Sequence, residues 1–271
     1  MGAPRRRFLS GKLKQTMHAE KRSRSLVVLM MIAWFTGSVS LLLFGFFLWH
    51  GAWQSVALPL SATGQLLWNA GLSVLFFLQH SGMVRRSLWL RLAPWLPKYT
   101  HRAVYTITSG VVLTAVVFLW QPADTVVLEL QGGWRWLARG VFLTGLAGFA
   151  WSSIALQYFD AFGISDLRAH LQRTVRKSGP FSIRGPYRWV RHPFYLFTIF
   201  LIWSCPDLTI DRLLFNVIWT AWIYIGARLE ERDLVAEFQE QYRHYQRCVP
   251  MLIPWKGPLQ VKAGKAASTN R

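Results

Sequence analysis

The chain has 271 residues, 52% of them hydrophobic and 15% aromatic, with only 16% charged. A soluble domain carries about 25% charged residues, so this composition excludes an ordinary soluble globule and points to a multi-span membrane protein folded as one unit. The formal net charge is +19, but the basic clusters alternate with apolar spans; that argues against a nucleic-acid surface and for the positive-inside pattern and contact with anionic lipid heads.

Residues 1–25 are polar and hold Arg5, Arg6, Arg7, Lys12, Lys14, Lys21, Arg22 and Arg24. They read as a loose cytoplasmic tail. Leu26–Trp49 follows as an uncleaved first span: it is too long for the apolar region of a signal peptide, and no small-residue cleavage site stands out. It covers roughly 36 Å against a hydrocarbon core of about 30 Å. Residues 50–63 lack Lys and Arg and belong outside. Gly64–Met83 is a second span. Residues 85–102, with Arg85, Arg86, Arg91, Lys98 and Arg102 among Trp and Pro, form a cytoplasmic loop. Ala103–Trp120 is the third span, Gln121–Trp136 an external loop, and Leu137–Phe159 the fourth span. After the basic cytoplasmic loop Asp160–His192 come Pro193–Cys205 and Ile210–Ala227, joined by Pro-Asp-Leu-Thr. Pro193–Cys205 reaches only roughly 20 Å, so the pair reads as a tight helical hairpin marked by Asp207 and Asp211. The fold expected is an all-α integral membrane protein of five to six transmembrane helices with both termini cytoplasmic. Its parts are a basic tail (1–25), a four-helix region (26–159), a loop, helical hairpin and C-terminal segment (160–255) and a second basic tail (256–271).

Cys205 and Cys248 are the only cysteines, too few and too far apart for a zinc ribbon or an iron–sulfur cluster. No metal is expected, and no disulfide if Cys248 is cytosolic. Chemistry concentrates between Arg184 and Pro254, where charge sits beside apolar segments and is therefore costly unless used. Gly185-Pro186-Tyr187 can turn its backbone toward a ligand. Pro193 suits the first position of a helix, which puts Arg191 and His192 beside a helix N-terminus, a natural anion site. Glu230 and Glu231 cannot face the same way on one helix; one can pair with Arg228 or Arg232 and leave the other for a ligand ammonium or hydroxyls. Tyr242 and Tyr245 share a helix face and can cover an adenine or a cationic sulfonium.

The ordered set G-P-Y, R-H-P-x-Y, hairpin, R-x-E-E-x-x-L, Y-x-x-Y and P-x-x-I-P resembles the isoprenylcysteine carboxyl methyltransferase superfamily, membrane enzymes with a cytoplasm-facing S-adenosylmethionine pocket. Gln79-His80-Ser81-Gly82-Met83, Tyr158-Phe159-Asp160-Ala161-Phe162-Gly163 and Val249-Pro250-Met251-Leu252-Ile253-Pro254 are similar to the bacterial branch of methanethiol S-methyltransferases and NnrU-like proteins. The resemblance implies that Gly185, Pro186, Tyr187, Arg191, His192, Tyr195, Glu230, Glu231, Tyr242 and Tyr245 line the cofactor site. It also implies catalytic parts for His192, Arg191 and Glu231, and approach of Gln79 and His80 to the methyl acceptor. Three positions depart from the pattern: Phe197 and Gln239 stand where the family commonly has Gly, and Tyr158 where it often has His. If Phe197 lines a substrate route it narrows it, which favours a small thiol over a lipid or isoprenoid acceptor. The rival readings are that lipid-type acceptor, a non-catalytic NnrU-like accessory protein, and an NADPH-dependent membrane reductase using Arg184, Arg188 and Lys177. Oligomeric state is not legible.

Overall fold

The computed structural model describes residues 3–156, 160–175 and 181–260, with side chains from residue 23 onward except that of Arg86. The helices are α1 (Ala3–His50), α2 (Ala62–Val84), α3 (Arg86–Leu92), α4 (His101–Leu119), α5 (Gly132–Ala155), α6 (Ile164–Leu171), α7 (Pro193–Trp203) and α8 (Ile210–Cys248). Short 3-10 turns lie at Lys98–Thr100 and Gly185–Arg188. Among the described residues, Ser23–His50, Lys98–Leu119 and Gly132–Ala155 are both long and apolar enough to cross a membrane. The chain is an all-α membrane protein, as composition indicates.

Two elements differ from expectation. Residues 3–25, expected as a loose tail, are helical as a continuation of α1. Eight of its residues are Arg or Lys, which are good helix formers, and Pro4 lies in the first turn, where a missing N–H costs little. The hairpin turn is also not a plain loop. Asp207–Thr209 forms β2, which pairs antiparallel with β1 (Val126–Glu129). Asp207 takes two hydrogen bonds from Arg135, at 2.9 and 2.6 Å. Asp211 accepts from Trp120 Nε1 at 2.9 Å and from the Ala123 amide at 3.1 Å. Both carboxylates expected to mark the turn therefore build it. The short α7 agrees with the sequence: its 11 residues rise only about 16 Å.

The chain folds as two compact units. The first holds the described residues of 3–44, 78–115 and 160–175. Leu26, Ala33, Ala103 and Leu167 are its buried core, with Tyr99, Ile107 and Leu171 packed against them. Asp160 caps α6: Oδ1 accepts from the Ile164 amide at 3.1 Å, and Oδ2 from the Ser165 amide at 2.8 Å and from the Ser165 hydroxyl. Gly163 has φ +68°, and a Cβ there would lie 2.5 Å from the Arg102 carbonyl carbon. Only glycine meets both demands.

The second unit holds 45–77, 116–156 and 181–260. Phe47, Trp120, Phe215 and Trp219 form its aromatic centre. α5 and α7 pack closely through small residues: Leu201 lies over Gly145, and the Phe197 ring lies across Gly148, where a Cβ would sit 2.2 Å from it. The end of α1 is held by side chains from elsewhere. The last carbonyls of a helix have no partner within it. Here Arg212 donates to the Phe47 and Leu48 carbonyls at 3.0 and 2.9 Å, and Arg139 donates to that of Trp49. Arg212 is buried, so these bonds offset part of the large cost of burying its charge.

Candidate functional site

The second unit brings the motifs of its C-terminal half together. Gly185 opens the 3-10 turn at φ +52°, and a Cβ there would meet Ala155 and the Trp151 indole, both at 3.0 Å. Pro186 is buried beneath it. The turn lines a cavity of about 470 Å³ with Phe181, Arg184 and Arg188. Leu259 ties the turn down, donating its amide to the Arg188 carbonyl at 2.8 Å and accepting from Arg188 Nε at 2.7 Å. The start of the tail thus packs on the site's turn.

His192 is the N-cap residue of α7 and Pro193 its first residue. The approach to the helix is fixed by backbone pairing: Arg191 donates its amide to Pro250 at 2.9 Å, and His192 to Met251 at 3.1 Å. The Val-Pro-Met-Leu-Ile-Pro segment therefore serves as a rail for Arg-His-Pro.

A charge network stands on that rail. Arg191 Nε donates to Glu231 Oε1 at 2.6 Å, and Nη1 to the carbonyls of Gln246, at 3.0 Å, and Val249. His192 Nε2 lies 3.2 Å from Glu231 Oε1, and its Nδ1 lies 3.6 Å from Glu230 Oε2. Gln246 Nε2 donates to Glu231 Oε2 at 3.0 Å. Glu231 is thereby saturated, and its side chain is 7% exposed. Glu230 differs: its side chain is 48% exposed, and it accepts a hydrogen bond from the Tyr195 hydroxyl at 2.9 Å. Tyr195 also stacks on His192, with ring centroids 5.4 Å apart.

These contacts set the protonation states. Burial pushes the Glu231 carboxyl up, but hydrogen bonds from His192 and Arg191 and their charges bring it down to about 2. Burial also works against the Glu230 carboxylate, and His192 and Tyr195 outweigh it, leaving the pKa below the ordinary carboxylate value. For His192, burial disfavours the proton while the two glutamates favour it; the balance lies above the usual imidazole value.

Tyr242 and Tyr245 share a face, as their spacing implies, but that face is buried. They pack with Val249 under Phe181, Ile183, Leu234, Val235 and Phe238, and the Tyr245 hydroxyl donates to the Tyr187 carbonyl. Burial raises the pKa of Tyr187, Tyr242 and Tyr245 above the usual phenol value, so all three stay neutral. This packing exists because α8 breaks. In a straight helix Glu231 and Gln246 would be separated by roughly 22 Å, yet they are hydrogen-bonded. Gln239, at φ +47° and ψ −123°, is the one non-helical residue inside α8, and there the helix folds back. The φ of Gln239 is one that glycine adopts without strain.

Gln79 and His80 belong to the first unit. Gln79 Nε2 donates to the Ser109 hydroxyl at 3.2 Å and contacts Met83 Sδ at 3.1 Å. His80 Nε2 lies 2.9 Å from the Tyr105 hydroxyl. Phe197 packs on α5, as described above. Tyr158 and Lys177 lie outside the described residues. Gln246 and Leu259 are the contributors that sequence did not expose: neither belongs to a quoted motif, and each acts through the fold-back or the tail. No group of three or more His, Cys, Asp or Glu able to hold a metal occurs among the described residues.

The chain is 37% identical to the methanethiol S-methyltransferase of Pseudomonas deceptionensis over 70% of its own length and 72% of the relative's. It is 31% identical to the methanethiol S-methyltransferase of Mycobacterium tuberculosis over 69% and 77%. The chain belongs to the methanethiol S-methyltransferase family. A more distant similarity, 24% identity over 67% of the chain and 70% of the relative, is to Nurim of Sus scrofa; it puts the family within the isoprenylcysteine methyltransferase-like group. No family model matches the chain, and no solved structure does. In this chain the Arg191–Glu231 clamp and its His192 neighbour tie the Arg-His-Pro and Glu-Glu segments together: neither charge is tolerable in its buried position without the other.

Proposed function

We propose that the chain is an integral-membrane methyltransferase that takes its methyl group from S-adenosylmethionine and transfers it to a small thiol, converting methanethiol to dimethyl sulfide. The observation that carries this reading is the division of labour between the adjacent carboxylates. Glu231 is buried and saturated, while Glu230 is half exposed and held by Tyr195 and His192. That division suits a ligand with a cationic or hydroxyl-bearing end. Glu230 meets an ammonium or ribose hydroxyls, Arg191 and Glu231 hold the frame, and the Gly185–Arg188 turn presents backbone to a nucleoside beside a cavity of fitting size. When bound, S-adenosylmethionine supplies an already activated methyl on a sulfonium.

The protein's part is positioning, which supplies up to about 7–11 kcal/mol when donor and acceptor are held at attack distance. His192 sits between two carboxylates that favour its proton, and we assign it the part of a cation and hydrogen-bond donor rather than of a base. A thiol brought beside such a cation loses its proton more readily. On the resemblance, Gln79 and His80 remain our candidates for acceptor contacts. The spans number five to six, with both termini on the cytoplasmic side of a bacterial inner membrane.

The test is a pair of measurements on the full-length protein. Purified protein is titrated with S-adenosylmethionine and, separately, with NADPH; cells fed methanethiol are assayed for dimethyl sulfide in the headspace, with Glu230→Gln as control. Binding of S-adenosylmethionine and thiol-dependent dimethyl sulfide above the control are expected. NADPH binding alone would make the protein a reductase, and binding of neither would leave an accessory role. Methyl transfer to a lipid but not to methanethiol would transfer the assignment to a lipid-type acceptor.

A further inference from the structure

A second cavity, of about 540 Å³, lies wholly within the first unit, among the end of α2, α3, the start of α4 and the segment leading into α6. Its volume is in the range of small-molecule sites, about 300–1,000 Å³, and none of the residues assigned to methyl transfer lines it. Its wall is of two kinds. Met83, Trp89 and Tyr105 give apolar surface, and Lys98 and Arg102 give positive charge. Trp89 is fixed in place by donating to the Met83 carbonyl at 2.5 Å and stacking on His101 at 4.3 Å.

Two carboxylates line the same cavity, and both are engaged. Asp160 caps α6 through three donors, and Asp166 pairs with Arg102 Nε at 3.3 Å. The exposed Lys98 ammonium has no partner among the described residues, and the 52% exposed Arg102 keeps its terminal nitrogens for an outside ligand. The surrounding surface is amphipathic. Val84, Leu90 and Trp95 are 60, 64 and 77% exposed, in the same short stretch as Arg85, Arg91 and Lys98. Apolar and cationic side chains mixed in this way mark the headgroup level of a bilayer.

We propose that this cavity binds a phosphate-bearing amphiphile, with the phosphate between Lys98 and Arg102 and the apolar part along Met83, Trp89 and Tyr105. The phosphate belongs either to a lipid of the surrounding leaflet or to a soluble phosphate ester. Full-length protein, stripped of lipid in detergent, is examined by native mass spectrometry with added phosphatidylglycerol, in competition with inorganic phosphate and with glycerol 3-phosphate. Lys98→Gln removes one cation without touching Asp166. Arg102→Lys, which keeps a charge beside Asp166, guards against a folding defect in Arg102→Gln. Lipid occupancy is expected to fall roughly fivefold for each cation removed. If millimolar glycerol 3-phosphate or phosphate displaces the lipid, the site takes the phosphate group from solution as well; if neither does, the lipid is the ligand. Equal lipid retention in the wild type, Lys98→Gln and Arg102→Gln, or equal binding of phosphate-free diacylglycerol, overturns the proposal.

Discussion

Glu230 and Glu231 are neighbours in sequence with opposite circumstances, and substitutions should separate them. Glu231→Gln leaves the buried Arg191 without its counter-charge. Breaking a buried pair from one side costs about 3–5 kcal/mol, so thermal unfolding in detergent should show a large loss of stability, with cofactor binding lost as a consequence. Glu230→Gln touches a half-exposed group and should change stability by no more than about 1 kcal/mol, while S-adenosylmethionine affinity falls in a titration. Equal stability of the two variants would refute the assigned roles. The same network fixes a pH dependence. The His192 pKa is raised above 6.5 in the folded protein, so its contribution is complete below 6.5 and is lost as pH rises through the folded value. The Glu230 and Glu231 pKa values are depressed from 4.5, so their contributions are complete above 4.5 and are lost as pH falls through the folded values, about 2 for Glu231. Stability should be greatest between 4.5 and 6.5 and decline on the alkaline side. Melting curves of His192→Gln, carried from 4.5 to well above 6.5, should lack the alkaline decline.

At the scale of elements, the bend in α8 turns on one residue. A non-glycine side chain at φ +47° stores strain of order 1–3 kcal/mol. Gln239→Gly removes that strain, and the added freedom of the unfolded chain offsets roughly 0.5–1 kcal/mol of the gain. The variant should melt higher than the wild type, whereas Gln239→Val should melt lower; a lower melting point for the glycine variant would mean that the bend is set elsewhere. The bend also marks where sequence stops informing. That Tyr242 and Tyr245 share a face follows from helical spacing, and His192-Pro193 announces a helix start by the chemistry of proline. The direction of the tyrosine face depends on a reversal at a residue whose identity does not favour it, so local propensity could not place Gln246 against Glu231. The α5–α7 contact was hidden for a similar reason: Gly148 and Phe197 are complementary only once the helices are side by side.

For the whole molecule, the distribution of Lys and Arg predicts that both termini and the loop after Asp160 share the cytoplasmic side. Single cysteines placed in 52–62 and in 170–175, in a background lacking Cys205 and Cys248, should react with an impermeant reagent from opposite sides of the membrane. Labelling of both from one side would be incompatible with this topology. Three of the expected spans, Leu26–Trp49, Ala103–Trp120 and Leu137–Phe159, were legible because apolar length is a local property. The assembly of each unit from three separate stretches of chain was not, since it depends on partners far apart in sequence. That distance has a consequence for biosynthesis. α1 leaves the ribosome well before α8, yet the guanidinium that holds its Leu48 carbonyl comes from a residue 164 positions later. Until α8 is translated, the Leu48 carbonyl at the end of the nascent α1 must find water or lipid headgroups, so a helix made before its partner is locked only after that partner arrives.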